Sequence, residues 1–373
     1  MSAHLSHGLG TELVEPDWPP LTDAEVTDVV GPARVVWRSP RPLSAAAVVE
    51  RDGRRLFVKR HHVRVRPPEA LAEEHAFLRH LGERGAPVVR VLDAGARGEW
   101  TYEVHSTGAG ADLYRDALSW SPFVGPAHAR AAGEALARLH LAAEGFTAPR
   151  RAPGPLVASF TVFAAPDPRP ALDAYIAERP LLAEALADFP WRRDTERVLL
   201  PLHDRLAPHL SGLAPLWTHN DWHASNLLWG EDGAVSTVLD FGMSDRTTAV
   251  HDLATALERN TVQWLSPDRP VRERDAVALL RGYQSVRPLS PPESAALPAL
   301  LPLVHAEFAL SELDYFHGVT RSAENARLAY EYYVGHAEWF HGRAGRGLVE
   351  LVAAEVRGSG SAPYPTGDVR YGA

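Results

Sequence analysis

The stretch Trp217–Glu258 reads WTHNDWHASNLLWGEDGAVSTVLDFGMSDRTTAVHDLATALE, and its reading decides the rest of the chain. Strand-like pieces fall at Leu216–Thr218, Leu227–Trp229 and Ser236–Leu239. Glu231-Asp232-Gly233 supplies an Asp-Gly hairpin turn between the last two. One loop therefore presents a carboxylate, Asp221, and a carboxamide, Asn226. The returning hairpin brings a second carboxylate, Asp240 of Asp240-Phe241-Gly242, to the same end. Trp217, Trp222 and Trp229 make this loop more apolar than an ordinary turn, where Asp and Asn would serve only as caps.

Phosphoryl transfer asks for such a set. A carboxylate accepts the proton of the attacking hydroxyl, oxygen ligands hold Mg²⁺ against the phosphates, and a cation offsets the triphosphate charge. Asp221 suits the base role and Asn226 with Asp240 the metal role. The cation is marked by composition. Lys59 is the only lysine among 38 basic residues, the rest being arginine. An ammonium is a compact point charge unlike the planar guanidinium fork, so this position stands apart.

Working outward, Ala33–Trp37, Ala45–Glu50 and Arg54–Arg60 read as strands, with Asp52-Gly53 turning the last pair. Pro67 and Pro68 open a helix over Glu69–Glu83, on which Leu71, His75, Leu78 and Leu81 recur at helical spacing. Val88–Leu92 and Trp100–Val104 complete a five-stranded sheet. A helix follows over Pro126–Ala143. Arg150–Pro170 is Pro-rich and loop-like, and after Thr247 the pattern is helical almost to Glu355.

HNDWHASN and DFG, separated by a hairpin, resemble the catalytic and metal loops of the aminoglycoside phosphotransferase and choline kinase group. Phe57-Val58-Lys59 resembles the strand bearing its phosphate-binding lysine, and Glu74 in LAEEHAFL the helix acid that pairs with that lysine. Ala137–His140 and His251–Ala254 resemble the helices before the catalytic loop and after DFG. The likeness runs in order from Arg34 to Glu258. It implies an α+β, protein kinase-like two-lobed fold, with a small N-terminal antiparallel sheet plus helix and a larger, mainly helical C-terminal lobe. The expected division is a flexible tail at 1–20, an N-lobe at 21–105, a C-lobe at 106–356 and a flexible tail at 357–373.

The implied activity is transfer of the γ-phosphoryl group of ATP or GTP to a hydroxyl of a small metabolite or aminoglycoside-like antibiotic. Asp221 is the catalytic base, and Asn226 and Asp240 hold Mg²⁺. Lys59, Glu74 and Ser44 serve the phosphates, and the strand end carrying Glu103 and His105 meets the base. The first hairpin, RSPRPLSAAAVVE, lacks the glycines that the family often has there, and no Walker-type G-x-x-x-x-G-K occurs.

Two other readings compete. A non-catalytic nucleotide-binding regulator draws on the Gly-poor hairpin. A metal-dependent hydrolase could use His219, Asp221 and His223, since alternate residues of an extended segment point the same way. His219 and Asp252 read better as braces of the catalytic loop. The acids Glu307, Glu312, Asp314 and Glu331 could line an acceptor pocket, although solvated helix faces would look the same.

Bulk properties narrow the classes. A net charge of −9 without a basic run argues against nucleic acid. The absence of cysteine excludes thiolate chemistry and Cys-based metal sites. No signal sequence or membrane-length apolar run is legible, so a cytoplasmic location is the expectation.

Overall fold

The computed structural model describes residues 10–157 and 159–358. The N-lobe is a five-stranded antiparallel sheet in the order β1-β2-β3-β5-β4. Its strands are β1 (Arg34–Arg38), β2 (Ala45–Arg51), β3 (Arg54–His62), β4 (Val91–Arg97) and β5 (Trp100–Ser106). Lys59 on β3 lies directly across from Glu103 on β5, so both side chains share one face. Helix α2 (Pro68–Glu83) covers that face and buries Leu71, Phe77, Leu78 and Leu81.

Two features of this lobe differ from the sequence reading. The fourth strand runs over Val91–Arg97 rather than Val88–Leu92. Val88 instead bridges to Val238 of the other lobe. The segment Asp93-Ala94-Gly95-Ala96-Arg97 has little strand propensity, but it forms an exposed edge, where charges and small residues are tolerated. An additional helix, α1 (Asp23–Val30), opens on a capping box between Thr22 and Glu25. Its buried Val26 and Val30 close the opposite face of the sheet with Ala47, Val49 and Val58.

Residues 1–9 and 359–373, most of the two expected tails, lie outside the described residues. Residues 10–20 form no helix or strand. Even so, Trp18 stacks on His62 with ring centroids 5.0 Å apart, and Tyr315 donates to Asp17 at 2.8 Å.

The chain crosses between lobes at Ser106–Ala111, which is tied down from below. Ala109 N–H donates to Thr237 at 2.9 Å, and Ala111 exchanges two main-chain hydrogen bonds with Trp229. The C-lobe then packs α3 (Pro126–Ala143), α4 (Pro168–Ala177), α5 (Pro180–Leu186), α6 (Trp191–Asp194) and α7 (Leu200–Leu206). The Pro-rich stretch is thus a loop only as far as Asp167, whose side chain caps α4. The catalytic segment follows, with β6 (Pro215–Thr218) pairing β9 (Asp245–Thr248) and β7 (Leu227–Trp229) pairing β8 (Val235–Val238). Helices α8 (Ala249–Thr261), α9 (Glu273–Val286), α10 (Pro291–Leu300), α11 (Ala306–Tyr315), α12 (Ala323–His341) and α13 (Arg343–Gly358) complete the lobe.

One core cluster runs from Phe77 of α2 through α3 and α8 to Val356. The α3–α9 crossing is close because both helices carry glycine at the contact. A Cβ on Gly133 would overlap the Leu279 carbonyl, and one on Gly282 the Arg130 carbonyl. This crossing fixes α3 behind the catalytic loop. No described helix is long and apolar enough to cross a membrane.

Candidate active site

The loop carrying Asp221 and Asn226 hangs between β6 and β7 and is held by buried groups. Asp252, on the first turns of α8, accepts from His219 N–H and Asn220 N–H, both at 2.9 Å. His140 of α3 lies 3.0 Å from the same carboxylate and bonds Tyr283 at 2.8 Å on its other side. Both ring nitrogens of His219 are engaged. One lies 2.9 Å from the Leu239 carbonyl and the other accepts from Asp221 N–H at 3.1 Å. His219 and Asp252 therefore brace the loop. A metal centre on His219, Asp221 and His223 is disfavoured, because His219 has no lone pair left to give.

Asp221 is anchored at both oxygens. Arg259 of α8 pairs with Oδ1, and Asn226 Nδ2 donates to Oδ2 at 3.0 Å. His223 lies 3.5 Å away. Burial alone would raise the pKa of Asp221, but His223 and Arg259 hold it far below the ordinary carboxylate value. Asn226 also donates to the Asp221 carbonyl at 2.9 Å, which commits its NH₂ group and leaves Oδ1 as the atom it can offer a ligand.

Asp240 enters from the β8 side with φ 54°, and Asn220 in the catalytic loop has φ 60°. Non-glycine residues in this left-handed region are strained and concentrate at functional sites. Lys59 spans the cleft to Asp240, with Nζ 3.1 Å from both carboxylate oxygens. Desolvation inside the cleft works against both charges, although the Asp240 side chain is 42% exposed at its mouth; Asp240 keeps the Lys59 pKa above its ordinary value and Lys59 keeps that of Asp240 below. Lys59, Asp221, Asn226 and Asp240 thus meet between the lobes. Asn226 and Asp240 offer the hard oxygen donors that Mg²⁺ takes, so the donor set fits that ion.

Glu74 does not pair with Lys59. It lies 3.9 Å from Arg151, which follows α3 and enters beneath α2. Arg151 also reaches Glu73 at 3.8 Å and donates to the Gly242 carbonyl at 2.7 Å. Arg66, between β3 and α2, donates to the same carbonyl at 2.7 Å. Two buried guanidinium groups thus clasp the turn after Asp240. Arginine is abundant in this chain, so no sequence signal distinguished these two.

The side chains of Glu103 and His105 face inward. The Glu103 carboxylate is shared by His61 at 2.9 Å, His75 at 2.9 Å and His105 at 3.1 Å. Only the backbone of this strand end remains to meet a base. Ser44 is half-buried in the β1–β2 turn. The same turn carries a residue the sequence did not single out. Arg41 bonds Ser119, and its guanidinium feels the carboxylates of Asp112, Asp240 and Asp221. Burial lowers its pKa and those acids oppose the shift. A side-chain cation stands in the turn that lacks the glycines of the resembled family.

On the far side of Arg259 lies a second buried polar group. Glu258 is hydrogen-bonded to His336 at 2.6 Å, and His336 stacks on His305 with centroids 3.8 Å apart. Glu258 Oε2, both His305 nitrogens and Glu312 Oε2 are buried without hydrogen-bond partners. Burial pushes Glu258 up to about 7 and Glu312 up to about 8. Though their ligating atoms lie within 4.8 Å, the Glu258–His305–His336 group is not arranged for a metal. Two rings stacked at an interplanar angle of 19° cannot both aim in-plane lone pairs at one ion. Trp120 and Phe308, themselves in ring contact at 5.9 Å, both touch the Arg259 guanidinium, each 4.6 Å from it.

The sequence model of the "Phosphotransferase enzyme family" (APH) matches residues 44–289, which contain Lys59, Glu74, Arg151, Asp221, Asn226, Asp240 and Arg259 but neither Arg41 nor His305, Glu312 and His336. The chain belongs to the phosphotransferase enzyme family. As a member it is a small-molecule kinase. A homoserine kinase from Phenylobacterium zucineum is 30% identical over 287 residues, 74% of this chain and 78% of that one. One from Methylobacterium nodulans is 31% identical over 198 residues, about half of each chain (51% and 52%). Among solved structures, aminoglycoside-3'-phosphotransferase of type VIII aligns at 21% identity and a TM-score of 0.43, covering 74% of this chain and 93% of that one.

Proposed function

We propose that this kinase transfers the γ-phosphoryl group of ATP or GTP to the hydroxyl of a small, amine-bearing metabolite, homoserine being the first candidate. The observation that carries the reading is the convergence of Lys59 and Asp240 at 3.1 Å with Asn226 and Asp221 at 3.0 Å in one interlobe cleft. The family model spans these residues, and several of the chain's relatives are homoserine kinases.

In this mechanism Lys59 and Arg41 bind the phosphate oxygens, with Ser44 in the same turn. The main chain of the Glu103–His105 strand end meets the base. Asn226 and Asp240 hold Mg²⁺, which when bound offsets charge on the phosphates. Asp221 orients the acceptor hydroxyl and takes its proton as the new P–O bond forms. Its depressed pKa makes it a weak base before transfer, which suits a reaction driven by positioning and electrostatics more than by early proton removal. Glu74 acts at one remove, through Arg151 on the metal loop. Glu258 and Glu312 await a donor, and the ammonium of the acceptor supplies one.

The test is acceptor-dependent release of nucleoside diphosphate, measured with Mg²⁺ and ATP or GTP across L-homoserine, related amino alcohols and aminoglycosides. Turnover with amine-bearing alcohols and none with their deaminated analogues is the expected result. Nucleotide binding without transfer to any acceptor would instead favour the regulator reading.

A further inference from the structure

A cavity of about 500 Å³ lies outside the cleft, between the loop after α3, helix α4 and strand β9. Its walls include Arg150, Arg151, Ser159, Tyr175, Arg179 and Asp245; Lys59, Asp221, Asn226 and Asp240 are not among its lining residues. The size is that of a small-molecule site.

Two opposite charges in the wall are incompletely satisfied. Arg179 is buried, with its guanidinium over the Tyr175 ring at 3.5 Å and Nη1 donating to the Tyr175 carbonyl at 2.9 Å. Its Nε has no hydrogen-bond partner, and the nearest acid, Glu178, is 4.0 Å away and exposed. Asp245 is fully buried. Its Oδ1 accepts from Arg151 N–H at 2.9 Å and Arg246 N–H at 2.7 Å, while its Oδ2 has no hydrogen-bond partner. Burial holds its pKa above the ordinary value, against the pull of those two amides. Leaving a buried polar group unpaired is costly, so both atoms call for a ligand.

The wall is also wired to the chemistry. Arg151 donates from its backbone to Asp245, and from its side chain to the Gly242 carbonyl, two residues beyond Asp240. The same guanidinium reaches Glu73 and Glu74 on α2. A ligand that settles Asp245 and Arg179 thereby stiffens the segment that carries Asp240.

We propose that this cavity is an effector site for a small zwitterion of the amino-acid class, its carboxylate on Arg179 and its ammonium on Asp245, with occupancy transmitted through Arg151 to the metal loop. Neither a purely anionic nor a purely cationic ligand would satisfy both atoms.

The experiment screens the proteinogenic L-amino acids against the full chain by thermal shift, confirms hits by calorimetry, and repeats the binding in three variants. At least one amino acid is expected to raise Tm by several degrees. Asp245→Asn keeps the Oδ1 acceptor, so it folds, and should weaken binding by about tenfold or more. Arg179→Met should do the same, and Glu312→Gln, on the acceptor side, should leave binding unchanged. Loss in Glu312→Gln with retention in Asp245→Asn would mean that the amino acid binds as acceptor, and would overturn the proposal. So would a response to inorganic phosphate alone, or no response to any amino acid. Because the readout is binding rather than turnover, the outcome is independent of the acceptor assigned above.

Discussion

Arg259 separates two clusters of acids that have opposite electrostatics, the first reaching the open cleft at Asp240 and the second wholly buried. On its inner side, Asp221, Asp240 and Asp252 each meet a cation or backbone N–H groups, and all three pKa values are driven down. On its outer side, Glu258 and Glu312 lack full partners, and burial drives their values up. The first cluster is complete within the chain and sets geometry before any ligand arrives. The second is left unfinished by the chain, which is what the proposed recognition of an amine-bearing acceptor requires.

The comparison breaks most severely at the inner cluster. Asp221→Asn is expected to lower kcat by about 10²–10⁴ while leaving the fold intact. Near-normal turnover would remove Asp221 from the reaction. Lys59→Met should cripple kcat as well and weaken nucleotide binding, read by equilibrium titration; unchanged binding would refute the phosphate role. Asp252→Ala strips the brace from His219, Asn220 and His140, and should cost about 3–5 kcal/mol in urea unfolding. A loss below about 1 kcal/mol would show that the loop holds itself.

The outer cluster sharpens the contrast with smaller effects. Between its ordinary pKa and about 8, folded Glu312 holds a proton that the unfolded chain releases. Stability therefore falls as pH rises through that window. Glu312→Gln should gain about 1–3 kcal/mol above the window and little near pH 4. A pH-independent gain would contradict the assignment. For an amine-bearing acceptor, KM should fall about tenfold as Glu258 and Glu312 ionise between roughly pH 6 and 9, with kcat changing less. A flat KM would separate these acids from the acceptor.

The site was unevenly legible in the sequence. Asp221, Asn226 and Asp240 lie within twenty residues, joined by a hairpin whose turn is written in Asp232-Gly233. Lys59 was conspicuous as the one lysine. Arg41, Arg66, Arg151 and Arg259 were hidden by their abundance, since nothing local distinguishes a clamp arginine from a solvated one. Glu312 was named as a pocket candidate, but Glu258 and His336 only became partners when α8 met α12. Helix α1 had a readable capping box at Thr22-Asp23-Ala24-Glu25, and the edge strand β4 had no propensity signal beyond Val91-Leu92. Helices α10–α13 lie beyond the span that the family model matches, so the proposed acceptor surface was the least readable part.

By itself, the sequence determined the first three strands and β5 of the N-lobe, helices α2 and α3, the hairpin of β7 and β8, and the donor types in the loops around it. Those depend on contacts within a few residues: periodicity, Asp-Gly turns and a carboxylate set beside a carboxamide. The tertiary structure alone decided which cation meets which acid, pairing Lys59 with Asp240 and giving Glu74 to Arg151. Such pairing is settled by distance and burial between segments far apart in the chain, where desolvation makes each buried charge accept the partner that packing brings within reach.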